Sequence, residues 1–294
     1  MVGDIRRVTA GTGGEALLIM GRERTCLYDA GMAYCGRKMV ENLIRELNGR
    51  PLDFVILSHT HYDHIGGLPY VREQYPKVTV MGSVLGQPIL EKPKALAVIR
   101  NLSQTASDSY SDHPGVPLDY KDEGFRMDVG LTEGSVISLG DRHIRAFVTM
   151  GHTRCSMTYY LEEDSILLAS ESTGICLGRG QVHSSILTGF QDSMDSIEKC
   201  RAIGAKHIIS PHFLEVDEET AARFWDLSRE AGEEIRDFIL GCLRKGMSEE
   251  ALLEACTDHY WVGSVKDEQP REAFQINLKA KVKVILREFG PQGE

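Results

Sequence analysis

Ser58-His59-Thr60-His61-Tyr62-Asp63-His64-Ile65-Gly66-Gly67 decides how the rest of this 294-residue chain is read. It follows directly on the apolar run Phe54-Val55-Ile56-Leu57, which opens after Pro51 and closes on the polar cluster. A short apolar run bounded in this way predicts a buried strand. His59 and His61 share parity and point the same way off the strand end, while the turn that follows brings Asp63 and His64 round. Imidazoles and a carboxylate are donors that suit zinc, iron or manganese. A lone histidine is commonly a satisfied surface or core residue. Three histidines and an aspartate in an H-x-H-x-D-H frame rarely have a purely structural explanation, so the stretch predicts a metal site. Asp63 is also placed to cap a helix over about 65–75, and with two oxygens a carboxylate can cap and ligate together.

Working outward, the same pattern recurs. Residues 16–20 and 25–28 read as a hairpin, the second strand running into Asp29-Ala30-Gly31, which by itself is good turn chemistry. Residues 38–47 carry a helical apolar face closed by Asn48-Gly49. Strand-like runs follow at 78–81, 136–139, 144–149, 157–161, 166–169 and 207–210. Four times an apolar strand ends in a potential ligand: the 59–64 cluster, His152, Glu171 and His212. Strand ends on one edge of a layered sheet converge, and that edge is where sites on such folds sit. Two strand-rich halves, each with its helix, predict an α/β fold with a four-layer αββα sandwich over residues 1–215. Within it, 83–120 is expected to be a lid or insert, with a helix at 94–102 and then a polar stretch, 103–115, of no regular period. Tyr110 and His113 in that stretch are candidates to reach a substrate. Residues 216–294 form a C-terminal helical appendage, with helical segments at 218–245, 247–256 and 271–287.

Composition narrows the function. With 42% hydrophobic and 26% charged residues the chain has the balance of an ordinary globular protein. The 33 basic against 43 acidic residues give a formal net charge of −10, which argues against a nucleic-acid partner because such partners leave a basic footprint. No apolar run is long enough to span a membrane, and the first residues lack the apolar core of a secretory signal. Seven scattered cysteines without a C-x-x-C pair fit a reduced, cytoplasmic protein. Of these, Cys155 stands three residues from His152 and can be read as a spectator, a soft ligand or a redox-sensitive thiol.

The H-x-H-x-D-H frame resembles the first metal motif of the metallo-β-lactamase fold superfamily, and the match extends over roughly residues 10–215. The resemblance implies that His59, His61 and His152 hold one metal, that Asp63, His64 and His212 hold a second, and that Glu171 bridges them. The family's bridge is normally an aspartate, so Glu171 is a departure: it either bridges from slightly further back or chelates one metal and weakens the other. Two divalent ions, zinc foremost and iron or manganese also suited, activate water at neutral pH and polarise the bond under attack. Asp63 would then orient the nucleophile and relay its proton as the catalytic residue. His183, twelve residues after Glu171 in a Gly-rich loop, is a candidate substrate contact. The C-terminal helices resemble in architecture those of glyoxalase-II-like and quinolone-response thioesterase-like members. The expected activity is dinuclear metal-dependent hydrolysis of a small ester, thioester or lactone. The alternatives are an iron-dependent oxidoreductase on the same fold, an RNase-Z-like nucleic-acid enzyme, which the acidic charge opposes, and a metal-binding protein whose catalysis Glu171 has weakened.

Overall fold

In the computed structural model, which describes residues 4–212 and 214–290, the first six strands pair in sequence order. They are β1 (Ile5–Arg7), β2 (Leu17–Met20), β3 (Thr25–Tyr28), β4 (Phe54–Ile56), β5 (Thr79–Ser83) and β6 (Val129–Leu131). The first three run antiparallel, and β3 to β6 run parallel. Parallel strands need long crossovers, and helix α1 (Gly36–Leu47) supplies the one between β3 and β4. Its Met39, Leu43 and Leu47 are buried with Leu18, Leu27, Val55 and Val80 of the strands. Each such burial stabilises the fold by about 1.5–3 kcal/mol. Asn48 ends α1 in the left-handed conformation, returning its N–H to the Ile44 carbonyl.

These elements belong to the first of two units, which comprises Met1–Val148, Met157–Leu168 and Ala205–His207. The same unit holds an antiparallel run of β7 (Val136–Ser138), β8 (His143–Val148), β9 (Met157–Leu161) and β10 (Ile166–Leu168). The two sheets meet at the end of β4. Tyr159 donates its hydroxyl to the Leu57 carbonyl at 2.8 Å, the Met157 N–H reaches the Ser58 carbonyl at 2.8 Å, and the Tyr28 and Tyr159 rings stand edge-on at 6.0 Å. The strand end that carries His59 is thus pinned from both sheets.

Two local expectations change. The helix after the histidine cluster is two: α2 (Tyr62–Ile65) and α3 (Leu68–Gln74). Gly66-Gly67 and Pro69 separate them, and the Gly67 N–H is drawn away to the Gly31 carbonyl. Asp63 does not cap α2 but lies inside its first turn; His61 holds the N-cap position, without a side-chain capping bond. In the 83–120 segment, after the short α4 (Gln87–Leu90), helix α5 runs over Pro93–Tyr110, so residues 103–110 are helical. Their hydroxyls are absorbed along the helix itself, Thr105 on the Asn101 carbonyl and Ser109 on the Thr105 carbonyl. Ile99, Ser103, Ala106 and Ser107 make the buried face; small polar residues hide that stripe from a hydrophobicity count.

Gly14 shows how closely the first unit is built around the motif. A Cβ there would stand 1.6 Å from the Asp63 carbonyl oxygen. Gly14→Ala must therefore push the first turn of α2 away, at a cost of about 1–3 kcal/mol or more. Urea unfolding is expected to show that loss; an unchanged midpoint would contradict it.

The second unit comprises Thr149–Ser156, Ala169–Gly204 and Ile208–Glu294. It contains the hairpin β11 (Ile175–Gly178) and β12 (Gln181–His183), then α6 (Phe190–Ile203), β13 (His207–Ser210, all but its first residue) and β14 (Leu214–Glu215). The sequence reading has a Gly-rich loop at 178–183. Arg179 and Gly180, at φ 52° and 72°, make it a tight hairpin turn instead. The C-terminal helices are α7 (Glu218–Ala221), α8 (Phe224–Arg244), α9 (Glu249–Tyr260), α10 (Gly263–Glu268) and α11 (Arg271–Phe289). Asp217 and Ser248 cap α7 and α9 with side-chain bonds to Thr220 N–H and Ala251 N–H. Ile235 and Ile239 of α8, Leu252 and Cys256 of α9, and Phe274, Leu278 and Ile285 of α11 share a core with Phe190 and Ile197 of α6. An α/β sandwich with a helical C-terminal region, as expected, is the observed class. No helix among the described residues is long and apolar enough to cross a membrane.

Candidate metal centre

In the first unit the donors rest on a buried aspartate. Because β3 and β4 pair in parallel with Tyr28 opposite Ile56, Asp29 and Ser58 leave the sheet side by side. Asp29 is 1% exposed and takes φ 51°, a left-handed conformation that aspartate tolerates better than most residues. Its carboxylate accepts the Ser58 N–H at 2.7 Å, the Ser58 hydroxyl at 2.7 Å and His64 Nδ1 at 2.8 Å. A carboxylate only accepts, so His64 carries its proton on Nδ1 and leaves Nε2 with a lone pair. The Ser58 hydroxyl has one proton, given to Asp29, so it accepts from His59 Nδ1 at 3.0 Å and bares His59 Nε2 in the same way. His59 lies among the other two imidazoles, its centroid 4.6 Å from that of His61 and 4.2 Å from that of His64. Asp63 Oδ2 stands 3.7 Å from His64 Nε2.

The second unit repeats the device with a carbonyl and a serine. Gly151, at φ 132°, lies so near Ser193 that a Cβ would stand 2.7 Å from its Cα. The Gly151 carbonyl takes the N–H groups of Leu187 and Thr188 at 3.0 and 2.8 Å, and His152 donates its own N–H to Ser172 Oγ at 3.0 Å. His152 Nδ1 donates to the Ser185 carbonyl at 2.8 Å, which turns a bare Nε2 toward Glu171. The Glu171 carboxylate is buried and divided between two imidazoles. Oε2 accepts the Ser185 hydroxyl at 3.0 Å and stands 3.5 Å from His152 Nε2, while Oε1 lies 3.2 Å from His212 Nε2. His212 is held at φ 68°, a conformation that costs a non-glycine residue about 1–2 kcal/mol and collects at functional sites.

These donors fit divalent cations. Two ligand atoms bound tetrahedrally at about 2.0–2.2 Å lie about 3.3–3.6 Å apart, close to the His152–Glu171 and His64–Asp63 spacings of 3.5 and 3.7 Å. His59, His64 and His152 each give Nδ1 to an outer partner, the arrangement that orients metal-binding imidazoles. In the second unit, Glu171 offers a different oxygen to each of two histidines.

The profile of the metallo-beta-lactamase superfamily matches residues 11–198. The chain belongs to that superfamily. A metallo-beta-lactamase family protein from Thermus thermophilus superposes on 99% of this chain and 95% of its own, with a TM-score of 0.65 at 17% identity. The fold is therefore shared. Among curated relatives, "Glyoxylase B2" of Dictyostelium discoideum is 26% identical over 165 residues, 53% of this chain and 50% of its own length. "Atrochrysone carboxyl ACP thioesterase" of Aspergillus fumigatus is 24% identical over 199 residues, 67% of this chain and 46% of its own. The chain thus spans about half the length of these curated relatives. The superfamily fold implies divalent metal ions, and the histidine, aspartate and glutamate clusters are of the right chemistry to hold them.

Two further groups in the second unit bear on the site. His183 ends β12 opposite Ile175, its ring 6.4 Å from that of Phe274. Burial, reinforced by the Lys281 charge, pushes its pKa down to about 3, so it is neutral at ordinary pH. Lys281 of α11 is 4% exposed and donates to the Ser184 carbonyl. Burial pushes its pKa from 10.5 down to about 8. A depressed lysine penalises the fold fully below its folded pKa, and the penalty disappears as pH rises toward the unfolded value. Lys281→Met removes that titration. The stability difference between this variant and the wild type should shift toward the wild type by roughly 3 kcal/mol from pH 7 to pH 11. Urea unfolding at the two pH values reads the shift, and a pH-independent difference would contradict it. Ser185 is the site residue that motif reading passes over, since it carries no sequence signal; Asp29-Ala30-Gly31 reads from the sequence as turn chemistry, although a strand running into Asp-x-Gly recurs near the metal site in the resembled family.

Proposed function

We propose that the two donor groups form one dinuclear centre, with His59, His61 and His152 on one divalent ion, Asp63, His64 and His212 on the other, and Glu171 between them. The observation that supports this most is the Glu171 carboxylate, one oxygen toward His152 and the other toward His212. Bound there, two divalent cations, zinc foremost, would acidify a water enough to attack at neutral pH and would polarise the substrate carbonyl. The protein's own part is orientation and proton handling. Asp29 and Ser58 hold His64 and His59 in the tautomers that bare Nε2, and Ser185 does so for His152. Asp63, one oxygen of which lies 3.7 Å from His64 Nε2, would orient the nucleophile and relay its proton. Rigid placement of such groups removes reorganisation from the reaction.

The reaction is hydrolysis of a small ester, thioester or lactone, with His183 contacting substrate as a neutral donor or acceptor. The thioesterase named among the relatives places thioesters first in the assay. A cytoplasmic setting accords with the seven cysteines, none of which is joined in a disulfide. The test is a panel of acyl thioesters, aryl esters and lactones, assayed with the protein as isolated, after chelation and after zinc or manganese is returned. Turnover lost on chelation and restored by metal supports the reading. Turnover by Glu171→Asp but none by the wild type would overturn it in favour of a metal-binding protein without catalysis.

A further inference from the structure

Helix α11 grips the segment that follows β12. Lys281 donates to the Ser184 carbonyl, Arg287 to the Thr188 carbonyl at 2.7 Å, and Glu288 accepts the N–H groups of Phe190 and Gln191 at 3.1 Å each. Ile186 packs in the same core as Leu278, Val282 and Ile285. On its other side the segment faces the donors of this unit. Ser185 gives its carbonyl to His152 Nδ1 and its hydroxyl to Glu171, and Leu187 and Thr188 hold the Gly151 carbonyl just before His152. Of the three gripping side chains only Lys281 is fully buried; Arg287 is 59% exposed. A buried ammonium is expensive to keep where a methionine would pack, and its bond falls on the residue next to Ser185.

We infer that Lys281 is a positioning residue: its hold on the Ser184 carbonyl sets Ser185, and through Ser185 the orientation of His152 and Glu171. The inference rests on the reading of these two residues as metal ligands. It gives the C-terminal helices a part in metal binding besides any contact with substrate.

Zinc affinity of the metal-free full chain, measured by chelator competition, tests it through a double-mutant cycle. Lys281→Met and Ser185→Ala are each expected to weaken zinc by about 10- to 100-fold, the range for outer partners of metal ligands. The double variant should lose little more than the worse single variant, because both changes act through one element. A K281M protein that binds zinc as tightly as the wild type, or losses that multiply, would overturn the inference and leave the metal reading standing. A wild type that binds no zinc, manganese or iron would overturn both. Amide exchange in the metal-free protein gives a second readout. The N–H groups of Leu187 and Thr188 should exchange about tenfold faster in K281M, and unchanged protection there would count against the inference. If K281M does not fold, Lys281→Gln, shorter and uncharged, enters the same cycle with the same reading.

Discussion

Glu171→Ala is expected to reduce bound metal from two ions to one or none per chain and to lower hydrolytic turnover by about 10³-fold or more. The magnitude follows from the chemistry the ions supply: water ionises with a pKa of about 15.7 in bulk and about 7 on a catalytic metal, so loss of the centre removes nearly all usable nucleophile at neutral pH. Glu171 is a first candidate because it serves two histidines of its unit, His152 through Oε2 and His212 through Oε1. Alanine leaves both imidazoles facing a void. Metal analysis and steady-state kinetics on the purified variant check the result. A variant retaining two ions and more than a tenth of wild-type turnover would show that Glu171 does not bridge.

Asp29→Ala carries the second large expectation, about 3–5 kcal/mol of lost stability. The buried carboxylate accepts three hydrogen bonds, from Ser58 N–H, Ser58 Oγ and His64 Nδ1. Removing it takes the acceptor from three buried donors, each of which costs about 1–3 kcal/mol when unsatisfied, and leaves His64 Nδ1 only the Ser58 hydroxyl at 3.3 Å. The same change frees the His64 and His59 tautomers, so zinc affinity should fall by about 10- to 100-fold. Urea unfolding and chelator competition report the two effects separately. Stability within about 1 kcal/mol of the wild type would show that relaxation or water replaces the carboxylate.

Much of this architecture is legible in the order of residues. Each donor read from the sequence follows an apolar strand, and strands can be recognised because their apolar runs are short, bounded and rich in Val and Ile. What is not legible lies in contacts distant in sequence. Asp29 looks like turn chemistry because its partners, Ser58 and His64, stand 29 and 35 positions on, where no local pattern can point to them. Ser185 is one serine among many until the segment after β12 brings it to His152, 33 positions away. The length of α5 is concealed for a different reason: its buried face includes Ser103, Ala106 and Ser107, whose burial depends on their being small rather than apolar. The glutamate at position 171, a departure from the family's aspartate, is accommodated by its surroundings, since Ser185 and two histidines meet its two oxygens.

Metal content of the full chain, purified without added metal or chelator, tests the dinuclear centre most directly. Two zinc or manganese ions per chain are expected, released together on chelation and lost in Glu171→Ala. One ion per chain, or none after metal is supplied, would contradict the shared carboxylate and with it the hydrolytic mechanism. Two irons would instead direct attention to redox chemistry at the same residues.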